Sequence, residues 1–280
     1  MNKHLPWLSL LSCSAVVAGL LAAPALVSTG TAAPTGWAAG PGDGSKAAAL
    51  SPAAAQAFFA GHDLKTLWLP GQQEEEGGWG SSGYGPAPSQ NGFFGADHYR
   101  IEFAITSVER DAKRPQVYHV RGKNRYKKRI TPFSGTITLQ QVLPGQASTD
   151  TNTDATYTFK GQFELREDAA VAGHGVFKGT LSADAVINAA GKVQLGWVEN
   201  SATKGCGYKF EGQWVSAQTG AVKPVLWGNN LNAVARLVFS DFMVGERMPH
   251  VNPKYAKLGW NRIWDNDEWW ADAPASSVSL

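Results

Sequence analysis

Cysteine is almost missing from this chain: Cys13 and Cys206 are the only two in 280 residues. Two cysteines cannot make a disulfide framework. Cys13 lies inside an apolar N-terminal run expected to leave with an export signal. Cys206, in Gly205-Cys206-Gly207, then reads as a buried or tolerated thiol. An excess of one charge is missing too. The formal net charge is +2, too near zero to imply a polyanion partner over the whole surface, and no nucleic acid is expected. Beyond the N-terminus no apolar run is long enough for a transmembrane helix, so none is expected in the mature protein. Metalloprotease helix, Gly-x-Ser-x-Gly elbow, phosphate-binding glycine loop and EF-hand loop are all missing. Asp150-Thr-Asn-Thr-Asp154 lacks the glycine and distal glutamate of a calcium loop. No catalytic residue, cofactor or metal ligand is therefore nominated.

What is present first is an address. Lys3 and His4 precede a mostly apolar run from Leu5 to Val27 and then small residues, the pattern of a secretory signal over residues 1–30. Cleavage after Ala25 competes with a site near Gly30 to Ala33, and an uncleaved membrane anchor is the alternative. Leu10-Leu-Ser-Cys13 loosely matches a lipoprotein box, but the apolar run continues past it, so a lipid anchor through Cys13 is the minor reading. The expected address is periplasmic or extracellular. Residues 31–50, rich in Ala, Gly, Pro, Ser and Thr, form a disordered linker.

The rest of the chain is dominated by one frame, Phe-x-Gly, at Phe133-Ser-Gly135, Phe159-Lys-Gly161, Phe177-Lys-Gly179 and Phe210-Glu-Gly212. In each copy the Phe, the Gly and the next apolar or small residues share one parity, while polar residues fill the other. That is the pattern of a half-buried strand. A glycine on the buried face has no side chain to pack, so it marks close backbone approach where a sheet coils strongly. Tyr99, Ile101, Phe103 and Ile105 oppose Arg100 and Glu102 in the same way. Further strands are expected near 117–120, 133–142, 156–166, 175–187, 193–197, 207–216 and 221–227. Short connections make them antiparallel neighbours.

The fold class predicted is all-β: a mostly antiparallel meander forming a closed or strongly curved barrel-like sheet, with a short N-terminal helix and a Trp-rich C-terminal segment packed on it. Residues 51–96 supply the helix, with Ser51 as N-cap, Pro52 at its first position and Gly61 as its stop. They also supply a long Gly/Pro-rich loop. Residues 97–245 form the β domain and 246–280 the Trp-rich segment. Asn229 to Val244 reads slightly better as helix than as strand.

The sharpest local feature is Arg121-Gly-Lys-Asn-Arg-Tyr-Lys-Lys-Arg129. If it is extended, Arg121, Lys123, Arg125, Lys127 and Arg129 form a row on one face, about 7 Å apart, suited to an anionic polysaccharide, envelope phosphate or lipid headgroup. The plainer reading is an edge strand whose charges prevent edge-to-edge pairing. Trp260, Trp264, Trp269 and Trp270 form a candidate aromatic surface for sugar rings, against which stands a role in covering the sheet. For acid/base chemistry Asp97, His98, Glu102, His119, Asp168, His174, Asp265, Asp267 and Glu268 are available, but no spacing among them enforces a dyad.

At Asp97-His-Tyr-Arg-Ile-Glu-Phe103, Gly122-Lys-Asn-Arg-Tyr-Lys127, the Phe-x-Gly strands, Gly245-Glu-Arg247 and Asn252-Pro-Lys-Tyr255 through Leu258-Gly-Trp260, the chain resembles a group of exported bacterial β-rich proteins without a known activity. That resemblance spans about residues 97 to 260 and implies an address and a style of fold. Gly212-Gln-Trp214 is more weakly similar to lipocalin-like and avidin-like barrels. It falls late in the chain rather than in the first strand, so no ligand residues are carried over. The function expected is an exported non-enzymatic binding or cell-envelope protein, for an anionic polymer or a small apolar ligand. The alternatives are a polysaccharide-acting hydrolase or lyase and a small outer-membrane β-barrel.

Overall fold

Alternation along the Phe-x-Gly strands becomes the inside and outside of a closed barrel. The computed structural model describes residues 48–69, 89–145, 155–196, 198, 201, 203, 207–229, 231, 252–263 and 267–271, all in the unit that runs from Ala33 to Leu280. The export signal, most of the linker, Cys13, Cys206, Trp197, Trp264, Asp265, the 150–154 loop and most of the 229–244 stretch lie outside the described residues.

Among the described residues nine strands make one sheet: β1 (Gln90–Phe94), β2 (Tyr99–Arg110), β3 (Val117–Tyr126), β4 (Arg129–Pro144), β5 (Ala155–Glu167), β6 (Gly175–Ile187), β7 (Val193–Leu195), β8 (Tyr208–Ser216) and β9 (Val222–Gly228). Every pairing is antiparallel. Eight of the strands close on themselves in the order β1-β2-β3-β4-β5-β6-β8-β9, the ring being completed where Gly92, Phe93 and Phe94 of β1 meet Trp227, Leu226 and Val225 of β9. The ninth, β7, adds to the far end of β6, where Ala185 faces Leu195. Bulges at the register shifts Ile105/Ser107 and Leu139/Gln141 bend β2 and β4, which helps the sheet turn.

The repeated glycines sit where strands approach most closely. Gly179 of β6 and Gly212 of β8 are direct partners, and a Cβ on either would stand 2.2 Å from a backbone oxygen of the other strand. No side chain fits there, so the frame requires glycine for space. The frame's phenylalanines fill the interior: Phe133, Phe159, Phe177 and Phe210 are all buried. Trp227 is the hub, with Phe103, Phe163 and Phe210 each within 5.0 Å between ring centroids.

One end of the barrel is plugged. Helix α1 (Pro52–Gly61) starts at Ser51, whose Oγ accepts from the Ala54 amide at 3.3 Å, with proline in its first turn. Phe58 packs on Tyr157 and Phe159, and the Arg110 guanidinium donates to the carbonyl of Phe59 at the helix's C-terminal end. The 3-10 turn Lys65–Leu67 follows, and Leu64, Leu67 and Trp68 are buried. The Leu64 amide donates to the Tyr118 hydroxyl at 3.0 Å, and burial pushes that phenol up to about 12. The opposite end, ringed by the turns at 95–98, 127–128, 168–174 and 217–221, is the mouth.

Strand β1 falls in a stretch that the sequence reads as loop. Its five residues carry Gly92 and no clean alternation, and its inward role depends on pairing with β2 and β9, which lie far apart in sequence.

Candidate functional site

Inward parity continues past the packed core into the mouth and brings polar groups inside. On β5 the inward series Phe159, Gly161, Phe163, Leu165 ends in Glu167; on β9 Trp227 and Val225 lead to Lys223; on β3 Val120 and Gly122 lead to Asn124 and Tyr126. These groups, with Phe94, Ile101, Phe177 and Trp214, line an open cavity of about 380 Å³. Glu167 is its fixed acid. Its carboxylate accepts from Asn124 Nδ2 at 2.8 Å, from the Gly175 amide at 2.8 Å and from Trp214 Nε1 at 2.9 Å. A Cβ at residue 175 would stand 2.4 Å from the Trp214 ring, so glycine there lets the indole lie across the start of β6.

Lys223 is the cavity's central cation. Its ammonium stands 5.1 Å from the Phe94 ring centroid, 5.8 Å from Tyr126 and 5.9 Å from Trp214. Phe94 meets Trp214 and Tyr126 edge to face, so the three rings hold one another. Burial raises the Tyr126 phenol above its ordinary value. The arrangement can receive an apolar body against these rings and an acidic group at the ammonium, with Arg129 also on the lining.

The basic run divides at this rim. Strand β3 ends at Tyr126, and Lys127 and Lys128 form a two-residue hairpin turn with φ of 50° and 68°. The row on one face therefore holds Arg121, Lys123 and Arg125 only, while Arg129 opens β4. The reason is local: a two-residue loop between antiparallel strands reverses the chain inside the run. Lys127 turns its ammonium to Tyr99 and Tyr126, 5.0 and 5.4 Å from their ring centroids.

Of the three in the row, two are engaged by the C-terminal segment. Lys123 Nζ donates to the Trp270 carbonyl at 2.9 Å. Arg125 is buried under that segment, its Nε and Nη2 on the two oxygens of Glu102 at 2.7 and 2.9 Å, its Nη1 on Asp267 at 2.5 Å, and its Cζ 5.0 Å from the Trp269 ring. The Arg125 guanidinium holds the Asp267 carboxyl below the usual range. Arg100 donates to Glu102 Oε1, the oxygen that also accepts from Arg125 Nη2, at 2.9 Å, to Asn91 at 2.6 Å and to the Arg262 carbonyl at 2.9 Å, and its amide donates to the Leu258 carbonyl. Arg121 remains exposed.

The aromatic candidates divide likewise. Trp260 is fully buried, packed on Phe93 with its Nε1 on the His98 carbonyl at 2.7 Å, and Trp269 is buried against Arg125. Trp270 is half-buried. Of the acid/base candidates, His119 lies 3.1 Å from Asp111 on an exposed hairpin far from the mouth. His98 and His174 sit in mouth turns; burial lowers His98, and His174 Nδ1 lies 3.0 Å from the Val171 carbonyl. Asp97, Asp168 and Glu268 are exposed, and Glu102 is enclosed by its two arginines. Among the described residues no cluster of three His, Cys, Asp or Glu is arranged to hold a metal.

Sequence reasoning passed over Glu167, Lys223, Phe94 and Tyr126. The signal was there for Glu167 and Lys223, since counting the inward parity to the end of each strand reaches a charge. Compared with family models, curated proteins and solved structures, the chain matches none of them.

Proposed function

We propose that this barrel is a non-enzymatic binding protein that holds a small ligand with a flat apolar body and an acidic group in its mouth. The observation that carries the reading is the Lys223 ammonium held among Phe94, Tyr126 and Trp214 in a cavity of about 380 Å³. A cation inside an aromatic enclosure is partly desolvated, so an anion meeting it there gains more than it would in water. The rings supply apolar area for the rest of the ligand. Export to the periplasm or exterior accompanies this reading and rests on the apolar run from Leu5 to Val27.

The outer wall gives less support to a membrane barrel. The outward positions of β5 are Lys160, Gln162, Glu164 and Arg166, the reverse of an apolar lipid-facing band. For a hydrolase the histidines and acids described above supply no paired acid and base at the cavity.

The test is titration of the mature protein with 8-anilinonaphthalene-1-sulfonate and with the neutral N-phenyl-1-naphthylamine, read by probe and tryptophan fluorescence. Saturable binding of the sulfonate is expected, weakened about tenfold or more in Lys223→Met, with the neutral probe bound equally by both proteins. Tenfold corresponds to about 1.4 kcal/mol, within the range for an ion pair in a partly desolvated site. Unsaturable binding, or affinity indifferent to both Lys223→Met and Trp214→Ala, overturns the reading.

A further inference from the structure

The mouth cavity holds two charges of opposite sign that do not meet. Glu167 ends the inward series of β5 and Lys223 that of β9, and both line the cavity. Strands β6 and β8 lie between them in the sheet. At about 4.8 Å per strand interval their backbones stand roughly 14 Å apart around the wall. One indole bridges most of that gap. Trp214 of β8 is the cross-strand partner of Lys223, and because Gly175 of β6 has no side chain its ring crosses β6 to place Nε1 2.9 Å from the Glu167 carboxylate.

Each charge is fixed in place, and neither is neutralised inside the cavity. The donors on Glu167 are all neutral: Asn124 Nδ2, the Gly175 amide and the Trp214 indole. An ionised carboxylate offers about four acceptor positions, so Oε1, which takes only the Asn124 bond, keeps one open. Lys223 is steadied by the Phe94, Tyr126 and Trp214 rings, which attract an ammonium but carry no net charge. Among the described residues no ion pair involves Glu167 or Lys223. Both residues are half-buried, whereas the lining's other cations, Lys127 and Arg129, are exposed and screened by water. A ligand that brings the complement of both charges gains at both ends. One that brings a single charge leaves the other protein charge facing an apolar body in a site from which water has been displaced.

We propose that the occupant of the mouth is a zwitterion, a small ring-bearing amine acid of the aromatic amino acid class, an assignment that rests on the mouth being a ligand site. Its ammonium donates to Glu167 Oε1, its carboxylate lies at the Lys223 ammonium and its ring packs on Phe94 and Tyr126. A cavity of about 380 Å³ is near the lower end of the range for ligand pockets, about 300–1,000 Å³, which suits one ring with two short charged arms. Selectivity against a simple acid or a simple amine comes from the protein charge that each would leave unmatched.

Calorimetric titration of the mature protein compares L-phenylalanine with 3-phenylpropionate, which lacks the ammonium, and with phenethylamine, which lacks the carboxylate. 4-(Aminomethyl)benzoate, beside 4-methylbenzoate and 4-methylbenzylamine, repeats the comparison with the two charges set a ring apart. At least one zwitterion is expected to bind tenfold or more tightly than both of its singly charged analogues, and the tighter of the two reports the spacing of the charges. Glu167→Gln, which removes the charge but keeps an acceptor, should reduce that zwitterion to the level of its acid, and Lys223→Met to the level of its amine. The comparison within the parent protein decides the matter even if a variant fails to fold. Acids that bind as tightly as the zwitterions overturn the proposal and leave the mouth a site for simple anions. A zwitterion advantage that survives Glu167→Gln overturns it too. No binding by any of these compounds, with the anilinonaphthalene sulfonate still bound, overturns this proposal alone, and loss of both overturns the reading of the mouth as well.

Discussion

Trp227 of β9 lies face to face with Phe210 of β8, ring centroids 4.7 Å and planes 5° apart, and it also stacks on Phe103 of β2 at 4.0 Å. Three strands that close the barrel are thus joined through one indole at the level of the core. Trp227→Ala is expected to cost about 3–5 kcal/mol of unfolding free energy, since a buried aromatic leaves a cavity its neighbours cannot fill. Trp227→Phe should cost markedly less. Urea unfolding of the two variants checks this. A loss below about 1 kcal/mol in Trp227→Ala would mean that the interior does not pack around that ring.

The hairpin turn at Lys127 and Lys128 is expected to be improvable at the expense of its charge. Both residues have positive φ, so Lys127→Asn with Lys128→Gly should raise stability by about 0.5–1 kcal/mol. A double variant that is less stable than the parent would show that the lysine side chains hold the turn through contacts stronger than its backbone preference.

Asp184 gives the barrel a pH dependence whose sign follows from its burial. It faces outward from β6 yet is fully buried beneath the overlying segment that contributes Ser201 and Thr203. Its carboxylate accepts from Thr158 Oγ1 at 2.7 Å, Ser201 Oγ at 2.6 Å and the Thr203 hydroxyl. Burial pushes its pKa up from 3.8 to about 6, and the three hydroxyls only partly oppose the shift. The folded chain therefore binds this proton more tightly than the unfolded chain. Its stabilising contribution is complete below about pH 4 and is lost as pH rises through about 6, an effect on the order of 3 kcal/mol. Asp111 and Asp267, whose pKa values are lowered by their arginine partners, act in the opposite sense. The useful quantity is thus the difference between the parent and Asp184→Asn, which keeps the hydroxyl contacts without a charge. Asp184→Asn should gain on the parent as pH goes from 4 to 7.5 in urea unfolding. A difference that stays flat across that range would show that Asp184 titrates normally.

Much of the site was within reach of periodicity. The Phe-x-Gly frames set the inward parity, and Glu167 and Lys223 follow from counting that parity to the mouth. The Lys127–Lys128 turn was harder to see, because a two-residue hairpin with lysine at both positive-φ positions carries none of the Asn-Gly signal that marks such turns. The covering of Arg125 was beyond local reading, since its partners Glu102 and Asp267 lie 23 and 142 residues away.

By itself the sequence determined that the chain forms antiparallel strands, which residues of each strand point inward, where glycine is required, and where α1 begins. All of these depend on repeats of two or four residues and on local backbone preferences. Only the tertiary structure decided that β1 closes the ring against β9, that one end is plugged and the other open, and that Phe94, Tyr126, Trp214 and Lys223 converge from four strands on one cavity. It also decided that the C-terminal segment covers Lys123 and Arg125 of the basic row and leaves Arg121 exposed. Those outcomes follow from sheet curvature and from contacts between residues distant along the chain, which no short-range pattern encodes.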